Sequence, residues 1–166
     1  ALTWISLTPE EKAWLNARPV IRVAANPFWA PVEYMGKDGK FKGISIEYLD
    51  RIGQMLGVSF EIKKDVTWQE GFDMLRRREL DICPAAIETP ERKAFARFST
   101  PYLSLPVAVF TRDDTHYISG LKALTGRKVA VVRDYGVAEH LKRENPKVDI
   151  IEASNVPAAL KLVQSK

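Results

Sequence analysis

The chain has 166 residues, 46% apolar and 28% charged, a globular composition with room for one or two small domains. Lys plus Arg exceed Asp plus Glu by 25 to 21, a scattered +4 balance that does not make a nucleic-acid surface. The lone cysteine, Cys83, excludes an internal disulfide and a cysteine metal cluster, and no apolar run reaches the roughly 18 residues of a membrane helix or reads as a signal peptide.

Residues 1–7 read as a linker. Thr8-Pro-Glu-Glu11 has capping-box spacing with Pro at the first helical position, and the helix it starts carries Trp14 and Leu15 and stops before Pro19. Val20–Ala25 is a short β-branched strand. Asn26-Pro-Phe-Trp-Ala-Pro31 breaks regular structure and exposes two aromatics, and Val32–Met35 with Lys40–Phe41 flank a Gly36–Gly39 turn as a hairpin. Gly43–Gly57 is a helix, with Ile44, Tyr48, Ile52 and Met55 at helical spacing and Gly57 as its stop. Val58–Lys63 is a second strand and Asp65–Arg78 holds a helix with Phe72, Leu75 and Trp68 on one side; Arg76–Arg78 at its end complement the dipole as a solvated face.

Leu80–Ala86 reads as a third strand, with Cys83 a buried small hydrophobe in it, running into Glu88-Thr-Pro-Glu-Arg92. There Thr89 can cap, Pro90 fits the first helical position and Glu91 favours the first turn. A strand that meets a helix N-terminus leaves backbone N–H groups facing outward, an anion site, and Arg92 one turn in has the planar fork that suits a carboxylate. The plainer reading pairs Arg92 with a surface acid.

Phe98–Pro101 reads as a turn, Ser104–Thr111 as an edge or crossing strand with an early proline, and Arg112–Thr115 as a connection. Leu121–Gly126 is a short helix or turn, Lys128–Val132 a strand, Gly136–Lys142 a helix, Val148–Glu152 a strand, and Ser154–Pro157 opens a last helix with Leu160 and Val163. The alternation predicts a mostly parallel α/β architecture divided into a linker and helix over 1–19, a first lobe over 20–111 and part of a second lobe over 112–166. Two strands and two helices bury little apolar area, so the second lobe is expected to be completed by further sequence or by another chain. In such sheets ligands bind at strand carboxyl ends, where Asn26–Trp29, Thr67–Trp68 and Ala85–Arg92 all fall.

These residues resemble the type 2 periplasmic solute-binding proteins, specifically the amino-acid-binding family 3, and more closely the Venus-flytrap sensor domains of bacterial membrane sensor kinases and diguanylate cyclases. The marks are Thr8-Pro-Glu-Glu-Lys-Ala-Trp-Leu15 before Ile21-Arg-Val, Trp29-Ala-Pro-Val-Glu-Tyr34, Gly39 to Leu49, Thr89-Pro-Glu-Arg92, Phe98-Ser-Thr-Pro-Tyr102 and Gly126-Arg-Lys-Val-Ala-Val-Val132, in order over residues 7–166. The resemblance implies a two-lobed α/β fold, a small solute in the cleft, lobe closure as the signal, a periplasmic location and no cofactor. Carried over by position, Arg92 matches the arginine that grips a ligand carboxylate, Trp29 and Trp68 match cleft aromatics, and Asn26 a polar first-loop position. Ala85 matches a backbone contact, and Tyr135 with Gly136 the second-lobe loop whose helix N-terminus meets the ligand.

Ile87, counted in the same ligand-binding set, stands where amino-acid binders carry Ser or Thr, and Val137 also lacks a hydroxyl. The family's aspartate for an α-amino group falls beyond residue 166. These departures point away from an ordinary α-amino acid and toward a more apolar carboxylate, or no ligand in the resting state. The implied partners are a small carboxylate and a membrane-anchored signalling domain, with a homodimer left open and no nucleic acid. A binding protein for an ABC transporter is the alternative, and a cyclohexadienyl-dehydratase-like enzyme, which needs an acid–base pair near Arg92 and offers only Glu88, is the remote one. Trp29 as a core-edge cap and Trp68 as core remain open. Glu33 and Glu47 are expected on solvated faces, and His116 and His140, without a third partner, are surface residues rather than metal ligands.

Overall fold

The computed structural model describes residues 5–165, which form two compact units that divide between Ala86 and Ile87. The division falls earlier than the composition change near Arg112.

In the first unit, helix α1 (Pro9–Asn16) opens with the expected capping box: Thr8 Oγ1 accepts from the Glu11 N–H, and the Thr8 N–H donates to the Glu11 carboxylate. Strands β1 (Val20–Val23) and β5 (Ser59–Ile62) pair in parallel, Val23 opposite Ile62. Between them β2 (Phe28–Trp29), β3 (Glu33–Met35) and β4 (Phe41–Lys42) form an antiparallel ribbon. The Gly36–Gly39 hairpin is where the sequence put it. Strand β2 was not expected: the two prolines of residues 26–31 flank Phe28 and Trp29 without occupying them, so their backbone can still pair with Tyr34 and Glu33.

Helix α2 (Ile44–Leu56) ends on Gly57, at φ 71°, the left-handed conformation that glycine adopts without strain. Its N-terminus is tied to the ribbon, since the N–H groups of Ile44 and Ser45 donate to the carbonyls of Pro31 and Val32. Val23, Ala25, Ile46 and Leu49 form the buried core between β1 and α2, with Phe41, Phe60, Ile62 and Ile82 against it. Truncating Leu49 to Ala here costs about 2–5 kcal/mol.

Helix α3 (Trp68–Arg76) has a second capping box, Thr67 with Glu70, and packs closely on the end of β1, where a Cβ at Gly71 meets that of Ala24 at 3.3 Å. The expected strand over Leu80–Ala86 is a correction. Residues 81 and 82 lie along β1, the Asp81 and Ile82 N–H groups donating to the Arg22 carbonyl and the Ala24 N–H to the Ile82 carbonyl, but only the Val23–Ile82 bridge forms. Pro84 has no N–H to extend a ladder. The Asp81 carboxylate instead grips Arg22, accepting from its backbone N–H, Nε and Nη2 at 2.8–2.9 Å. Cys83 is half-buried, a partial match to its expected core position.

The second unit begins with the one-turn helix α4 (Pro90–Lys93), capped by Thr89. Residues 96–120 carry no helix or strand, so the strand expected over Ser104–Thr111 is absent. Pro106 removes a donor and no neighbouring strand pairs with the segment, which leaves Val107 70% and Phe110 73% exposed. After a 3-10 turn over Leu121–Leu124 come β6 (Lys128–Val132), α5 (Gly136–Glu144), β7 (Asp149–Ala153) and α6 (Val156–Gln164). β6 and β7 pair in parallel, and Leu124, Val131, Ala138 and Leu141 form this unit's core. The fold is thus α/β with parallel strand pairs, as expected.

Candidate functional site

In the first unit Asn26 follows the carboxyl end of β1, Trp29 ends β2, Trp68 opens α3 and Ala85 follows the Val23–Ile82 bridge. Asn26 follows that strand and is buried, its Oδ1 accepting the Phe28 N–H at 2.9 Å. Trp29 lies half-buried in the ribbon. Trp68 is the first residue of α3 and packs on Phe72, centroids 4.7 Å apart, so part of its ring area belongs to the unit's own packing. Ala85 is buried.

The Asn26 loop is fixed by a residue that sequence reasoning placed on a solvated face. Glu33 is 0% exposed. Its Oε1 accepts the Asn26 N–H at 2.8 Å and its Oε2 the Ser45 hydroxyl at 2.9 Å. Burial disfavours the charged form, and despite those two bonds the carboxyl is pushed up to about 7. The signal that could have found it is the small polar Ser45 on the apolar side of α2, a core position that needs a polar partner. Glu47 is exposed, as expected.

In the second unit the structure brings Arg92, Ile87, Asp134 and Gly136 together. Arg92 is 4% exposed, on a helix positioned by Thr89, whose Oγ1 accepts the Arg92 N–H at 3.3 Å. Its Nη1 donates to the Ile87 carbonyl at 2.9 Å and its Nη2 to the Asp134 carbonyl. Asp134 adopts a positive φ of 60° in the turn between β6 and α5, which lets its carbonyl face the guanidinium. Gly136 opens α5, and a Cβ there would meet Ile87 Cβ at 2.9 Å and Cγ2 at 3.1 Å, so only glycine permits this approach. Tyr135 stands at the N-cap and gives no side-chain cap to the helix. Ile87 is 46% exposed.

Arg92 also meets Glu139 of α5, Nη2 to Oε1 at 3.4 Å, so its pairing is a buried contact rather than the surface ion pair of the plainer reading. Glu139 is the second residue that sequence reasoning passed over, because an acid in the first turn of a helix ordinarily only complements the dipole. Glu88, the candidate acid of an enzyme reading, pairs with Lys93 at 2.7 Å on the surface. Among the described residues no group of three His, Cys, Asp or Glu side chains could hold a metal ion, and no helix is long and apolar enough to cross a membrane. An open depression of about 670 Å³ lined by Ala153, Ala158, Lys161 and Leu162 contains none of the expected ligand residues.

Residues 21–161 match the bacterial extracellular solute-binding proteins, family 3. The chain belongs to this family. Its sequence is 31% identical over 153 residues to the virulence sensor protein BvgS of Bordetella pertussis, a match that covers 92% of this chain and 12% of that protein. The crystal structure of the BvgS periplasmic VFT2 domain superposes with a TM-score of 0.80 at 30% identity, over 95% of this chain and 67% of that one. The ancestral amino acid-binding protein AncCDT-1, described as a precursor of cyclohexadienyl dehydratase, superposes with a TM-score of 0.76 at 26% identity, over 93% of this chain and 70% of that one. The chain therefore has the Venus-flytrap type of fold, is an extracytoplasmic solute-binding domain of family 3, and spans about an eighth of the length of the sensor it resembles.

Proposed function

We propose that this domain senses a small carboxylate, and that Arg92 with the N-terminus of α5 holds it. The observation that carries the reading is the buried guanidinium of Arg92, set against the first turn of α5 by the Ile87 and Asp134 carbonyls. Nearby, the N-terminal N–H groups of α5 favour negative charge. A guanidinium fork beside a helix N-terminus is a carboxylate-binding pair, and Gly136 supplies the close backbone approach. The exposed Ile87 favours a solute whose remainder is apolar rather than one that needs a second hydroxyl donor.

In this reading Asn26, Trp29, Trp68 and Ala85 belong to the same ligand-binding set, with a first lobe over 20–111, which includes Ile87 and Arg92, and a second over 112–166. The solute acts on the equilibrium between conformations only through the extra contacts it makes in one of them. The similarity to BvgS supports a membrane-attached output domain as the recipient of the signal. The likeness to the amino acid-binding AncCDT-1 favours a second reading, a free binding protein that serves a transporter. Transmembrane and signalling segments in the same gene product select the first reading, and a secreted protein without them the second. The pairing of Glu88 with Lys93 supports a binding domain over a dehydratase, since it ties up the acid nearest Arg92 in sequence.

The test is a thermal-shift panel of the amino acids and of small aliphatic and aromatic carboxylates, followed by calorimetry of the hits on the parent and on Arg92→Ala. The expected result is a loss of at least tenfold in carboxylate affinity. Unchanged affinity in a folded Arg92→Ala protein rejects the role.

A further inference from the structure

The arginine assigned above to a ligand already holds a carboxylate. Glu139 Oε1 lies 3.4 Å from Arg92 Nη2, and the Arg92 side chain is only 5% exposed, so water screens this pair little. The second oxygen, Glu139 Oε2, is buried and receives no hydrogen bond from any donor among the described residues. A carboxylate set against a guanidinium, with one oxygen buried and bare, is poorly compensated for its desolvation. The groups around it do not supply the missing donor. Glu91, on α4, is an acid whose carboxyl is held below the usual range by its own backbone N–H, then by Glu139 and Thr89. These contacts favour its ionised form, so Glu91 supplies no donor to Glu139 Oε2. Arg143, one turn further along α5, acts on Glu91 and hydrogen-bonds Glu144 and the ring of His140.

We propose that Glu139 is an internal occupant of the Arg92 guanidinium, a built-in carboxylate that an external one must displace, so that residue 139 sets the affinity and charge selectivity of the site. This rests on the reading of Arg92 as the ligand-holding group. Two carboxylates cannot share one side of a buried guanidinium without strong repulsion. An incoming anion therefore competes with a neighbour tethered at high effective concentration, and carboxylates bind more weakly than the geometry of Arg92 alone allows. On displacement, the Glu139 side chain, already 27% exposed, turns outward to water and ends its buried, donorless state.

The test is calorimetry of the parent, Glu139→Gln and Glu139→Ala with benzoate, isovalerate and L-glutamine, and with benzamide as the uncharged counterpart of benzoate. Removing the charge is expected to raise the affinity of at least one carboxylate tenfold or more and to leave benzamide within twofold. Equal carboxylate affinities in parent and variants, an equal gain for benzamide, or no carboxylate binding to either variant overturns the proposal. Glu139→Ala is read in the same way, so the outcome does not depend on one variant's folding. Arg92→Ala in the Glu139→Gln background separates the two claims. If the gain survives without Arg92, the assignment of Arg92 itself is wrong. If Arg92→Ala abolishes parent binding while Glu139→Gln changes nothing, Arg92 stands and only the role of Glu139 falls.

Discussion

Replacing Glu33 with Gln isolates the cost of a buried charge in this fold. Glu33 is 0% exposed, and its carboxyl is raised from 4.5 to about 7. Its folded value lies above its unfolded value, so its contribution to stability is fully present below about pH 4.5 and is lost as the pH rises through about 7. A difference of that size corresponds to about 3 kcal/mol. Gln keeps the shape and both partners: its carbonyl can accept the Asn26 N–H, and its amide can donate to Ser45 Oγ once that hydroxyl rotates. The assay is urea unfolding followed by circular dichroism from pH 4 to pH 8, on parent and variant. The parent's stability relative to the variant is expected to fall by about 3 kcal/mol across that range, so that Glu33→Gln is the more stable protein at pH 8. Every other titrating group is common to both proteins and cancels in the difference. Parallel curves refute the reasoning, because they show Glu33 equally willing to ionise in the folded and unfolded chains.

Gly136→Ala places a Cβ 2.9 Å from that of Ile87 and is expected to cost about 1–3 kcal/mol in thermal unfolding; changing Ile87 to Ala as well removes only Cγ2 at 3.1 Å and keeps the clashing Cβ, so most of the loss is expected to remain. Thr89→Ala removes the cap on the turn that carries Arg92, for a loss of about 1 kcal/mol by urea unfolding. Asp81→Asn breaks the grip on Arg22, but the two side chains are 32% and 47% exposed, so the cost at pH 7 is expected to stay below about 1 kcal/mol. The Asp81 carboxyl is held below its ordinary 3.8 by Arg22, so its contribution is present above that pH and is lost as the pH falls through the depressed value, where the two proteins converge.

Local signals carried the fold well. Thr8 with Glu11, Thr89 and Gly57 all mark helix ends where the structure has them, because capping is decided within one turn of the chain. The strands that failed depend on partners elsewhere. Leu80–Ala86 and Ser104–Thr111 have strand composition, but a ladder needs a neighbour with free donors and acceptors, and each segment contains a proline that interrupts its own. At the site, Arg92 and Gly136 were legible from capping and resemblance. Glu33 and Glu139 were not, since nothing local distinguishes a buried acid from a solvated one. Glu33 is buried by residues 12 positions away through Ser45, and Glu139 meets a guanidinium 47 positions away in sequence. The helix pattern around Glu139 is that of any first-turn acid.

The most direct measurement is nitrogen-15 NMR of the Arg92 guanidinium while the protein is titrated with benzoate, isovalerate and L-glutamine. A saturable shift of the Arg92 Nη signals, following the same binding curve as calorimetry, is the predicted result. Saturable binding of a carboxylate that leaves those signals unmoved contradicts the account, because the solute is then held by other groups.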